Sequence, residues 1–212
     1  VAVVVPNIID LQRYKPREAS AHRLEHELHL IVTRNLEPVY DNATAVRALE
    51  LIRRDCRQAR ITIAGSGPEL SRLESLVHEL GLESQVRFAG RLDRVSMAAL
   101  YRQADVMLNP SLTDNMPNSV LEALASGVPV VSTDVGGVKH LLSDGDTGLL
   151  VPPGRPQAMA DAVLRLLASP VLRERLVLNG LREVQRYTWA QVAPLLLSVY
   201  RQAQRLSSAE GA

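Results

Sequence analysis

The sequence predicts an α/β fold: a parallel sheet with helices on both faces, followed by a helical C-terminal tail. Short β-branched runs alternate with longer stretches of helical period as far as Val151, the rhythm of a parallel sheet buried on both sides. Proline opens and glycine closes helical stretches, as at Pro68 and Gly81 or Pro117 and Gly127. After Val151 the pattern is purely helical. A chain of 212 residues, 46% of them apolar, can bury one sizeable core. One domain over residues 1–206 is therefore expected, with SSAEGA at 207–212 as a disordered tail.

Along the chain, the opening VAVVV gives a strand over 1–5, and the next apolar run gives one over 28–32. A helical stretch at 42–56 leads to a strand at 60–64. The helix over 68–80 carries Leu70, Leu73, Val77 and Leu80 at i, i+3, i+7 and i+10, one stripe to lay on the sheet. A strand at 86–89, a helix at 95–103 and a strand at 105–108 follow, then a helix at 117–126 that enters the strand at 128–132 almost without a loop. A short helix at 138–143 and a strand at 148–151 complete the sheet. The tail helices are expected at 156–167, 170–186 and 190–206.

Composition narrows the function classes. A formal charge of +1 argues against a strongly basic nucleic-acid surface, so any anion must be met locally. Cys56 is the single cysteine, which excludes an internal disulfide. No run approaches the roughly 20 apolar residues of a membrane span, and VAVVVPN lacks the charged leader and cleavage site of a secretory signal. A cytoplasmic protein is the expectation. Residue 1 is Val and the apolar run starts at once, so the chain is expected to be an excised piece.

Ligands of a doubly wound sheet lie beyond the carboxyl ends of the strands, where loops precede helices and free amides point outward. Three loops have suitable composition. In AGSGPEL (64–70), Gly65 and Gly67 fit either proximity to phosphate or ribose, or a tight turn with no ligand. In the second, 110–119, the helix start presents unpaired N–H groups at Asn118, Ser119 and Val120, where a diphosphate would meet the positive end of the helix dipole. Asp114 in that loop and Glu122 a turn and a half into the helix can grip hydroxyls of a sugar and a ribose. A plain turn and a solvated helix residue are the competing reading. In STDVGGVKHLL (132–142), Gly136 and Gly137 allow close approach of either a ligand or the helix to the sheet.

Other features read as structure. Asp144 and Asp146 imitate a metal-binding acid pair, but Gly145 and Gly148 mark a turn. His22 and His26 share a helical face if 19–27 is helical, yet His29 opens a strand and a zinc site lacks its third ligand. Arg53, Arg54, Arg57 and Arg60 form a basic helix end without the interleaved aromatics of a nucleic-acid site.

Taken in order, PNIID (6–10), GSGP (65–68), VRFAG (86–90), ADVMLNPS (104–111), LEALASGVPVVSTDVGG (121–137), DGDTGLLVPPG (144–154) and YTW (187–189) span nearly the whole chain. This series resembles the C-terminal half of a retaining glycosyltransferase with the GT-B fold, group 1 (glycosyltransferase family 4). The resemblance implies a Rossmann-like domain that binds a nucleotide-diphosphate sugar. A family signature of two acids separated by seven residues maps onto Asp114 and Glu122. Glu122 would hold the ribose hydroxyls. Asp114 would contact the transferred sugar, helped by the backbone of Asn115, Met116, Pro117 and Asn118. Arg34 would face the diphosphate, so Asp114 and Arg34 carry the catalytic parts. The backbone at Arg87 and Phe88 would meet the base, and Gly65 and Gly67 would border the nucleotide pocket.

The resemblance implies no metal and no cofactor; the donor is a substrate. It also implies a second, acceptor-binding domain before residue 1, without which this chain is expected to be inactive. Apolar side chains such as Leu195 and Leu197 would face that domain. Nucleic acid is not an expected partner, and peripheral membrane contact stays open for the full protein. Three departures stand out: Asp114 where the family has Glu, Tyr40 where it has Lys, and Lys139 and His140 where it often has Pro and Glu. They leave open a GT-B-like binding or assembly module that no longer catalyses. A nucleotide-sugar epimerase shares the fold and is the other alternative.

Overall fold

The computed structural model describes residues 4–17 and 28–210. Six parallel strands form one sheet: β1 (His29–Val32), β2 (Arg60–Ala64), β3 (Val86–Gly90), β4 (Val106–Asn109), β5 (Val130–Thr133) and β6 (Leu149–Val151). Their order is β3-β2-β1-β4-β5-β6. The chain therefore winds one way from β1 and the other way from β4, and the loops leaving these two neighbours part to open a crevice.

Helices α1 (Asn42–Ile52), α2 (Leu70–Glu79) and α5 (Pro156–Ala168) pack on one face, and α3 (Arg94–Gln103) and α4 (Asn118–Ala125) on the other. Alternation along the strands builds both layers. Leu30 and Val32 of β1 and Val106 and Leu108 of β4 join the first, while Ile31 and Met107 between them join the second. Each fully buried aliphatic side chain contributes about 1.5–3 kcal/mol, and Leu30, Ile31, Val32, Leu49 and Leu108 are wholly enclosed. Then α6 (Pro170–Glu183) packs Leu172 and Leu176 into the first layer and touches α4, a 3-10 turn over Val184–Tyr187 joins the second layer, and α7 (Trp189–Glu210) follows against that turn.

Caps explain where helices begin. The Asp93 carboxylate accepts the Ser96 N–H at 2.7 Å before α3, and Pro156 and Pro170 occupy first helical positions of α5 and α6.

Several expectations change. Residues 1–3 of the expected first strand lie outside the described residues, and residues 4 and 5 are not in a strand: Pro6 cannot donate and Val4 is exposed. The segment instead crosses the C-terminal region, with the Ile9 N–H on the Tyr187 carbonyl at 2.9 Å. The helix expected at 138–143 shrinks to a 3-10 turn, Val138–His140, because the Ser143 N–H leaves the helical path for Thr147 Oγ1 at 2.8 Å. Helix α1 stops at Ile52, short of Cys56. Helix α7 continues to Glu210, past the expected end at Leu206, and residues 211 and 212 lie outside the described residues.

The Asp144–Asp146 stretch is a turn: Asp144 Oδ1 accepts the Leu150 N–H at 2.9 Å, and Gly145 sits at φ 71°. His22 and His26 lie outside the described residues. Among those described, no metal-ligating cluster occurs and no helix is long and apolar enough to cross a membrane. Arg54 pairs with Glu50 at 2.9 Å at the exposed end of α1. Leu195 and Leu197 of α7 are exposed.

Candidate functional site

The crevice between β1 and β4 brings together Arg34, Asp114 and Ser119, with Glu122 a turn further along α4. Arg34 leaves β1 with only 11% of its side chain exposed. Its Nη1 donates to Ser119 Oγ at 3.2 Å in the first turn of α4, and its Nη2 forms an ion pair with Asp114 in the β4 loop. The Tyr40 ring lies beneath it, 4.1 Å from the guanidinium carbon to the ring centroid. Arg34 Nε is buried without a partner, a donor whose desolvation is not repaid within the protein.

Two glycine pairs hold the loops that carry this ion pair. A Cβ on Gly65 would collide with the Arg34 carbonyl, and one on Gly67 with the Leu36 carbonyl. That closeness lets the Leu36 N–H reach the Ser66 carbonyl at 3.1 Å and the Glu69 N–H reach the Leu36 carbonyl at 3.0 Å. On the other side, Gly136 and Gly137 leave room for the carbonyls of Asp114 and Asn115, and the Gly137 N–H donates to the Asp114 carbonyl at 2.8 Å. In both places the glycines let the backbone of one loop press against that of another.

Asp114 is 10% exposed at its side chain. Burial pushes its carboxyl above the ordinary Asp value, against the opposing pull of Arg34 and of the Asn115 and Ser111 hydrogen bonds. Behind it, Ser111 Oγ donates to Asn109 Oδ1 at 3.0 Å, and the Ser111 carbonyl accepts from Thr133 Oγ1 at 2.6 Å. The loop is thereby tied to β4 and β5.

Glu122 lies one turn along α4. Its Oε2 accepts from the Tyr101 hydroxyl at 3.0 Å, which also lies 2.7 Å from Thr33 Oγ1 and 3.0 Å from the Ser119 carbonyl. Tyr101 is fully buried and Tyr14 meets it edge-on at 5.8 Å. Burial raises the Glu122 pKa, and the hydroxyls of Tyr14 and Tyr101 only partly offset that. Both tyrosines are raised in turn, first by burial and then by the Glu122 charge. Glu122 opens onto a hollow of about 180 Å³ with Asp10, Arg13, Tyr14, Arg94 and Asn118 on its walls. Ser119 thus links the two acids, its hydroxyl toward Arg34 and Asp114 and its carbonyl toward Tyr101 and Glu122.

The backbone donors are fewer than expected. The Val120 N–H is taken by the Pro117 carbonyl at 3.1 Å, because the chain tightens as α4 begins, so the unpaired amides are those of Asn118 and Ser119. The Met116 carbonyl accepts from Asn7 Nδ2 at 2.9 Å, which ties this loop to the segment before β1. Asn115 is exposed and Pro117 buried. Arg87 and Phe88 lie on the edge strand β3, separated from β1 by β2. Phe88 packs against the first layer.

Sequence reasoning missed Tyr101, Tyr14, Thr33 and the stacking role of Tyr40. Tyr101, Tyr14 and Thr33 act through residues far off in the chain, which no spacing reveals, whereas Tyr40 lies close after Arg34 and stood out in the sequence only as a departure.

Residues 27–169 match the family model for glycosyl transferases group 1. The chain belongs to that family. Its relatives include a phosphatidyl-myo-inositol mannosyltransferase of Mycobacterium leprae, 36% identical over 203 residues, which cover 94% of this chain and 53% of that protein. A D-inositol 3-phosphate glycosyltransferase of Nocardia farcinica is 36% identical over 215 residues, 94% of this chain and 47% of the relative. Among solved structures, sucrose-phosphate synthase of Thermosynechococcus elongatus superposes with a TM-score of 0.83 at 27% identity, covering 95% of this chain and 52% of that one. This group 1 chain therefore spans about half the length of the relatives it matches. Its Rossmann-like α/β architecture is that of GT-B glycosyltransferases.

Proposed function

We propose that this chain is the donor-binding half of a retaining glycosyltransferase of family 4, which moves a sugar from a nucleotide-diphosphate donor to an acceptor held by a separate domain. The observation that carries the reading is the buried Arg34, held at the first turn of α4 beside Asp114, where the sheet order reverses. The family membership and the transferase names of the relatives support it.

In this reading the diphosphate sits on the Asn118 and Ser119 amides and on Arg34, whose planar fork suits phosphate oxygens. Glu122 takes the ribose diol on the lone pairs that the tyrosines leave free, and Asp114 takes a hydroxyl of the transferred sugar. As the bond from the sugar's anomeric carbon to the diphosphate breaks, negative charge builds on the leaving group. Arg34 and the α4 amides, fixed beforehand, stabilise that charge. This assigns the positive charge to protein groups and none to a metal. No observation favours the scaffold or epimerase readings.

Titration calorimetry of the chain with nucleoside diphosphates and nucleotide sugars of each base is the test. At least one series should bind, and Arg34→Ala should weaken it about tenfold or more, the scale of a charge-assisted contact. Folded protein giving no heat with any of them would remove the proposal.

A further inference from the structure

Tyr40 does more than fill space beside the ion pair. The Arg34 guanidinium carbon lies over its ring, 4.1 Å from the centroid, while Ser119 and Asp114 hold the guanidinium edge at two nitrogens. An arginine held on its edge alone can still swing about its long side chain; a ring packed beneath the guanidinium limits that freedom. The turn that delivers Tyr40 is itself held in place. Residues Pro38–Tyr40 form a 3-10 turn closed by the Asp41 N–H on the Pro38 carbonyl at 3.2 Å, and Asp41 sits at φ 40°. That left-handed conformation is costly for a residue with a side chain, and Asp41 is the only described non-glycine that adopts it. The same turn is joined to the β4 loop, since the Leu112 N–H donates to the Val39 carbonyl at 2.8 Å. The turn is thus tied on both sides, and it brings an aromatic ring against Arg34, whose buried Nε has no partner.

We infer that Tyr40 is a positioning residue for the donor diphosphate: its π face, not its hydroxyl, holds the Arg34 guanidinium toward the α4 terminus. This rests on the donor-binding reading above and adds the means by which Arg34 is pre-oriented. Cation–π stacking in a partly desolvated setting strengthens a cation's hold, and a pre-oriented group loses less freedom when its ligand arrives.

The test uses calorimetry of the folded chain with two probe ladders, uridine, UMP and UDP, and guanosine, GMP and GDP. The variants are Tyr40→Phe, which keeps the π face, and Tyr40→Leu, which keeps apolar bulk without it. Tyr40→Leu should raise the diphosphate Kd about 3- to 10-fold and leave the nucleoside Kd unchanged, while Tyr40→Phe stays within about twofold of the wild type. A Tyr40→Leu variant that binds the diphosphate as the wild type does would overturn the inference. So would one that loses affinity equally at every rung, since that is a merely structural role. Either result leaves the donor reading intact. A wild type that binds no rung of either ladder, nor any other nucleotide, overturns the donor reading and this inference with it.

Discussion

Glu122 illustrates a side chain kept at a cost to the fold. Burial raises its pKa above the ordinary Glu value, as it does for Asp114. Between the ordinary value and the raised one, the folded state holds more protons than the unfolded state. Stability therefore falls as pH rises through that interval and recovers as pH drops below the folded pKa. Glu122→Gln removes the buried charge while keeping an acceptor for the tyrosine hydroxyls. It should raise the thermal midpoint at neutral pH and flatten the slope just above the ordinary carboxylate range, read by calorimetric scans across pH. The same variant should weaken nucleoside diphosphate binding about tenfold, the worth of a hydrogen bond to a charged acceptor, and abolish any preference for ribose over 2′-deoxyribose. A variant that is less stable and binds equally well would contradict both halves. At this scale the sequence pointed to Asp114 and Glu122 through the loop and helix start that carry them, and to Arg34 through the family resemblance. It concealed Tyr101, whose hydroxyl serves Thr33 after β1 and both Ser119 and Glu122 of α4.

Loops and helix ends set how well those side chains meet. Helix α4 was legible within a residue, since Pro117 and Gly127 bracket it, but the count of its free amides was not. Whether the Val120 N–H finds the Pro117 carbonyl depends on how tightly the chain turns, and composition does not encode that. The glycines of 65–67 and 136–137 left packing and ligand contact equally open in the sequence, and only the neighbouring loops show how they pack. Gly137→Ala tests that packing, because its Cβ has only the Asn115 backbone to push against. It should destabilise the protein by about 1–3 kcal/mol in denaturant unfolding, the range for overpacked sites. It should also lower nucleotide affinity by displacing the Asp114 loop. Wild-type stability in this variant would mean that the two loops are not so closely fitted.

Over the whole molecule, alternating strand and helix signals revealed a covered parallel sheet, and each of the six strands lies within about two residues of its expected place. Strand order was not legible, because periodicity says which segments are strands and not which way each crossover turns. That order is what makes a site, since the reversal between β1 and β4 sets the Arg34 loop beside the Asp114 loop and above the start of α4. The decisive measurement is a crystal structure of the chain with a bound nucleoside diphosphate. The phosphate oxygens should lie within hydrogen-bond distance of the Arg34 guanidinium and the Asn118 and Ser119 amides, with the ribose hydroxyls on Glu122. A nucleotide bound elsewhere on the sheet, or one in the crevice with its ribose turned away from Glu122, would contradict the account.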